Sequence, residues 1–130
     1  MSRTVLVDSS FYIEKLKKRE DPLAYLATLG QSRDIAICGM VKAEVGRGLR
    51  NPKVLTWYQE AWSKMLYIDD GFKRWEATLA LVWELDRKGI VLPLTDVHIA
   101  ACAMHAGAVI LTYDPHFQMI PGIDATDRIF

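Results

Sequence analysis

The chain has 130 residues, a length that suits one domain of common size and leaves little room for a second. Hydrophobic residues make up 51% and charged residues 25%, so it can bury a core and does not read as a disordered segment. Lys and Arg number 16 and Asp and Glu 16, which excludes a protein that coats nucleic acid by bulk positive charge, though not a local basic patch.

Thr4-Val5-Leu6-Val7 is a short apolar strand that ends at Asp8. Ser9 is placed to cap the following helix, with Tyr12, Ile13 and Leu16 on its apolar side. Asp21-Pro22 gives a cap followed by proline at the first helical position, and this short helix ends at Gly30. Ile35 to Cys38 is a second strand, and a helix follows from about Met40 to Leu49 with Val41, Val45 and Leu49 inward. Asn51-Pro52 opens another helix, carrying Leu55, Tyr58, Trp62 and Met65 at helical spacing. Leu66-Tyr67-Ile68 is a third strand. Asp70 then caps a long helix with Phe72, Trp75, Leu79 and Val82 inward, stopped by Gly89. Thr95 or Asp96 starts a helix rich in small residues that ends at Gly107. Ala108 to Thr112 is a fourth strand, and Ile123 to Thr126 suits a last edge strand.

Strands that are apolar throughout, alternating with helices, imply a parallel sheet covered on both faces. With right-handed crossovers this is an α/β/α three-layer sandwich around a mostly parallel sheet of four or five strands. There is no repeat and no low-complexity tract. Asp8 interrupts the N-terminus before a signal-peptide core could form, and no apolar run reaches the roughly 18 residues of a membrane span. A cytoplasmic protein without membrane contact is expected. Cys38 and Cys102 each sit in an apolar run, outside any CxxC pair, and read as buried free thiols of a reducing compartment.

In an open parallel sheet, ligands bind beyond the carboxyl ends of the strands. The chain sends four carboxylates there: Asp8 at the end of the first strand, Glu44 in the helix after the second, Asp96 at the start of the helix before the fourth, and Asp114 two residues after the fourth. Each alone has an ordinary explanation, as a helix cap, an exposed helix residue or a turn. Their convergence is harder to explain that way. Like charges in one cleft repel unless a cation is present, and an all-oxygen set suits Mg²⁺ or Mn²⁺. Other chemistries fit less well. His98, His105 and His116 form no HExxH, and with no His/Cys cluster read from the sequence, zinc is not expected. There is no GxSxG elbow and no GxxxxGK[ST] loop. Ser10 stands where a haloacid-dehalogenase-like phosphatase needs a second Asp, and no acidic partner adjoins Asp8 as a response-regulator receiver needs.

Asp8-Ser9, Glu44, Asp96-Val97-His98-Ile99-Ala100-Ala101 and Thr112-Tyr113-Asp114-Pro115-His116-Phe117, in this order, resemble the PIN domains, and among them the VapC-type toxins of prokaryotic toxin–antitoxin pairs. The resemblance covers nearly the whole chain and implies one PIN-like domain over residues 1–130. It further implies a Mg²⁺- or Mn²⁺-dependent endoribonuclease, commonly a homodimer, inhibited by an antitoxin protein. The cation would be held by Asp8 and Asp96 with help from Glu44 and Asp114, and Ser9 and Thr112 would hydrogen-bond the ligating carboxylates. RNA phosphates would meet Arg47 and Arg50, one turn or more beyond Glu44, and Lys15 from the basic run Lys15, Lys17, Lys18, Arg19. Trp57 and Trp83 fall off the main apolar stripes and are candidates for a dimer or antitoxin surface. Two other readings stay open: a PIN-like binding or regulatory module without significant nuclease activity, and a DNA-directed nuclease.

Overall fold

A computed structural model describes residues 3–129; Met1, Ser2 and Phe130, at the ends of the expected domain, lie outside the described residues. Five strands form one sheet: β1 (Val5–Val7), β2 (Ile35–Cys38), β3 (Leu66–Ile68), β4 (Val109–Leu111) and β5 (Ala125–Thr126). Their order is β3-β2-β1-β4-β5, and every pairing is parallel. Consecutive strand residues point to opposite faces, yet Val5, Leu6 and Val7 are all fully buried. Both faces of the central strand are therefore covered, as a parallel sheet requires.

The cover is α1 (Ser9–Lys17), α2 (Pro22–Leu29), α3 (Gly39–Gly46), α4 (Pro52–Ser63), α5 (Phe72–Arg87) and α6 (Leu94–Ala106). The result is the expected three-layer α/β/α sandwich, with five strands and all of them parallel. The chain lays β2 and β3 to one side of β1, then returns to lay β4 and β5 on the other. The strand order thus reverses beside β1, and a crevice opens there beyond the carboxyl ends of β1 and β4.

Local chemistry explains several boundaries. Asp21 caps α2, accepting from Leu23 N and Ala24 N, and Asn51 caps α4 through Lys53 N. Gly107 closes α6 in the left-handed region, at φ 62°. Elsewhere the expectations need correction. Asp8 caps α1 in place of Ser9, because helix follows strand without a spacer and the last strand residue becomes the cap. Phe11 and Tyr12 face inward, while Ile13 and Leu16 are exposed. The α6 helix begins at Leu94 after Pro93, which puts Asp96 within its first turn.

The largest departure is α5. Phe72 and Leu79, expected inside, are 78% and 60% exposed, and Trp75 is half-exposed. The inward stripe is Thr78, Leu81, Val82 and Leu85. Both stripes repeat at helical spacing, so periodicity alone cannot choose between them. The observed rotation brings Thr78 Oγ1 to 2.9 Å from His98 Nδ1 of α6, a buried hydrogen bond that the other stripe would forfeit. Asp70 does not cap α5 either; Gly71 is the cap residue. Asp70 instead reaches the start of α3, where Cys38 offers no capping side chain, and accepts from Met40 N at 3.1 Å. Gly39 permits that approach, since a Cβ there would lie 2.8 Å from Asp70 Oδ1.

Candidate active site

The crevice collects the carboxylates from four elements. Asp8, at the end of β1, is 1% exposed. Asp96 projects from the first turn of α6 and is also buried, while Glu44 on α3 is half-buried. Asp114 caps a 3-10 turn, Pro115–Met119, that follows β4, and accepts from His116 N at 2.9 Å.

A chain of hydroxyls orients Asp8. Tyr113 N donates to Ser10 Oγ at 3.0 Å, so the Ser10 proton is free to go to Thr112 Oγ1, also at 3.0 Å. Thr112 Oγ1 accepts from Asp114 N as well and donates its own proton to Asp8 Oδ2 at 2.8 Å. One buried hydroxyl thereby couples Asp8 to the segment that carries Asp114. On the other side, Ser9 Oγ donates to Glu44 Oε1 at 3.0 Å and lies 3.4 Å from Asp8 Oδ1.

His116 joins the remaining pair. Its Nδ1 lies 2.8 Å from Asp96 Oδ2 and 3.0 Å from Asp114 Oδ1. The hydrogen bond to Asp96 raises the imidazole pKa, with the Asp114 and Asp96 charges adding to it. Burial pushes the Asp96 carboxyl up, opposed by His116 and reinforced by the charges of Asp114 and Asp8. Burial likewise raises Glu44, reinforced by Asp8 and Asp96 and opposed by the Ser9 hydrogen bond and by Arg47. All four carboxylates therefore share one field. Donor atoms of Asp96, Asp114 and His116 lie within 4.8 Å of one another, a spacing that can close on a cation.

Of the residues singled out in the sequence, Asp8, Ser9, Glu44, Asp96, Thr112 and Asp114 lie together at this edge. Arg47 and Arg50 lie just past the end of α3 and are exposed. Lys15 is engaged within the chain: its Nζ pairs with Glu20 at 2.9 Å and sits over the Phe11 and Tyr25 rings. Lys18 Nζ lies 5.6 Å above the Tyr113 ring, next to Asp114 in sequence, so it is nearer to the carboxylate edge than its place in a lysine run suggests. Sequence reasoning missed Ser10 and His116. Each stands two residues beyond a carboxylate it serves, a spacing that a cap search around Asp8 and Asp114 would have examined.

A groove of about 590 Å³ lies elsewhere, between α2, the end of α4 and the starts of β2 and β3, lined by Leu23, Ala27, Gly30 and Met65 among others. It opens at the amino ends of the strands, away from the carboxylates. Among the described residues, no helix is long and apolar enough to cross a membrane.

The PIN domain family model matches residues 5–123. No curated protein sequence matches the chain. In fold it is similar to VapBC2 from Rickettsia felis bound to a promoter DNA fragment, with 23% identity over 95% of this chain and 97% of that one and a TM-score of 0.75. DNA-bound VapBC from Salmonella typhimurium gives 24% identity over 97% and 98% of the two chains, at a TM-score of 0.75. A toxin–antitoxin complex from Klebsiella pneumoniae gives 24% over 97% and 99%, at 0.72. The family match takes in every strand but β5 and all four acidic positions: the chain belongs to the PIN domain family.

Proposed function

We propose that the chain is a Mg²⁺- or Mn²⁺-dependent endoribonuclease, the toxin of a type II toxin–antitoxin pair, folded as one domain over residues 1–130 and acting in the cytoplasm. The convergence of Asp8, Glu44, Asp96 and Asp114 at one sheet edge carries this reading, with Glu44 and Asp96 pushed up by burial and by their acidic neighbours. Such a set is strained without a positive partner, and its oxygen donors fit a hard divalent cation. His116 Nδ1 lies between Asp96 and Asp114, at 2.8 and 3.0 Å from their oxygens.

Asp8, Asp96 and Asp114 would hold the cation, with Glu44 beside them. Bound there, it supplies Lewis-acid polarisation of a phosphoryl oxygen and a water of lowered pKa. The protein's own part is positional. Thr112 fixes the rotamer of Asp8, and Ser9 fixes Glu44. The carboxylate oxygens left free accept hydrogen bonds from the attacking water and orient it toward the phosphodiester. Arg47 and Arg50 would hold neighbouring RNA phosphates, with Lys18 over the Tyr113 ring and Lys15 over the Tyr25 ring as further cations.

A homodimer and an antitoxin contact are supported by the outer stripe of α5. Phe72, Trp75, Leu79 and Trp83 form an exposed apolar face, and Trp57 of α4 is 59% exposed. Structures of similar fold are toxin–antitoxin complexes. The test is cleavage of RNA, single-stranded DNA and a phosphomonoester, in Mn²⁺ and in chelator, by the wild type and by Asp8→Asn at equal folded concentration. RNA cleavage in Mn²⁺ alone, abolished in Asp8→Asn, is expected. Preferential DNA cleavage would replace RNA as the substrate, and no cleavage at all would leave a binding module.

A further inference from the structure

A second cluster of donor side chains lies behind the α5–α6 contact, separate from the carboxylates. Cys38 ends β2, Asp70 lies in the loop between β3 and α5, and His98 and Cys102 stand one turn apart on α6. Cys38, His98 and Cys102 are fully buried, and the Asp70 side chain is 14% exposed. Donor atoms of Cys38, Asp70 and Cys102 lie within 4.8 Å of one another. His98 Nε2 lies 3.3 Å from Asp70 Oδ2 and 3.8 Å from Cys102 Sγ. This corrects the expectation that the chain has no His/Cys cluster. The four-residue spacing of His98 and Cys102 on one helix was its visible half.

Hydrogen-bond accounting shows how the imidazole is set. Thr78 Oγ1 has one proton, and it goes to Arg74 O at 2.8 Å. Toward His98 Nδ1 the same oxygen therefore accepts, so Nδ1 carries hydrogen. The other ring nitrogen is left to face a carboxylate oxygen and a sulfur. A cation placed there would meet that nitrogen, the carboxylate and both sulfurs. A histidine whose far nitrogen is anchored by a hydroxyl, with its near nitrogen turned into a group of sulfur and oxygen donors, is the arrangement of a metal ligand. The Trp75 ring stacks on the imidazole, with centroids 4.0 Å apart, and covers it.

His98 lies beside the group of Cys38, Asp70 and Cys102, and its two measured spacings match the edges of a single metal site. With bond lengths of about 2.0 Å to nitrogen and oxygen and 2.3 Å to sulfur, a tetrahedral site has edges of about 3.3 Å between N and O and about 3.6 Å between S and N. The corresponding distances here are 3.3 Å and 3.8 Å. Two sulfurs make the set soft, unlike the all-oxygen edge that suits Mg²⁺. We propose that Cys38, Asp70, His98 and Cys102 form a structural zinc site, distinct from the nuclease centre, that ties the starts of α3 and α5 to α6. Zinc would enter from the exposed edge of Asp70, and binding would release the protons of both thiols.

The test uses the full chain, purified with a phosphine reductant and dialysed into Mg²⁺ buffer. Elemental analysis should find about one zinc per chain. The demetallated protein titrated with Co²⁺ should show a sulfur-to-cobalt charge-transfer band and the intense visible bands of tetrahedral Co²⁺. Cys38→Ser and Cys102→Ser should lose both the band and the zinc, whereas Asp8→Asn should keep both. Thr78→Val, which removes the hydroxyl that anchors His98, should weaken zinc binding about 10- to 100-fold. Should either Cys variant fail to fold, the wild-type titration decides alone. Wild type with both thiols reduced that retains no zinc and gives no charge-transfer band overturns the site. So does a band that survives in folded Cys102→Ser, or one lost in Asp8→Asn.

Discussion

Replacing Thr112 by Val removes one oxygen and keeps the shape of a side chain that is 4% exposed. Three hydrogen bonds go with that oxygen: to Asp8 Oδ2 at 2.8 Å, from Ser10 Oγ and from Asp114 N. The bond to Asp8 is made to a charged group that is itself buried, worth about 1.5–3 kcal/mol. Water at the crevice can recover part of what Ser10 and Asp114 N lose, so these add about 1 kcal/mol rather than a full desolvation penalty. The expected destabilisation is about 2.5–4 kcal/mol. Thr112→Ser keeps the hydroxyl and loses one methyl, about 1 kcal/mol. The difference between the two variants, about 1.5–3 kcal/mol, isolates the hydroxyl. Denaturant unfolding in chelator measures it without metal linkage. A Thr112→Val protein as stable as Thr112→Ser would refute the relay from Ser10 through Thr112 to Asp8.

In Mn²⁺ at a hundredfold excess over Kd, wild type should gain about 2.7 kcal/mol, and Asp96→Asn at least about 1.4 kcal/mol less if binding weakens tenfold or more. Equal gains would remove Asp96 from the ligand set. Without metal, Glu44, Asp96 and His116 all bind protons more tightly folded than unfolded. Their contribution is fully present below the unfolded pKa values and is lost as pH rises through the folded ones, so Tm in chelator should fall between about pH 5 and 8. A Tm that climbs over that range would contradict the shared field of the site. Arg47→Ala should weaken RNA binding at low salt, with a loss that shrinks as salt rises. An unchanged low-salt binding curve would place Arg47 off the RNA path.

The strands and the four carboxylates were legible because each depends on local pattern. Ile35 to Cys38 has no polar face, which in a chain this short calls for a parallel sheet. A carboxylate at the end of such a strand has one place to go. What escaped the sequence depends on contacts between residues far apart in the chain. Asp70 looks like the cap of α5, yet it serves α3, 30 residues earlier, because Cys38 leaves that helix start uncapped. His98 looks like a variable position inside a motif, yet its ring bonds to Thr78 on the inward stripe of α5.

These long-range features share one cause. At α5 two stripes compete, and the outer one carries the larger apolar area. Burying Phe72 and Leu79 against α6 would gain more apolar area. It would also expel Thr78, leave His98, fully buried, without a partner on Nδ1 at about 1–3 kcal/mol, and break the Trp75 stack on that ring, all set against the area gained. Turning the helix the other way satisfies His98, keeps Leu85 inside and leaves an aromatic face that another chain can cover. The polar cluster at Asp70 and His98 and the exposed face of α5 are therefore two sides of one helix rotation, and a substitution such as Thr78→Val, made to loosen the first, should also free α5 to withdraw the second.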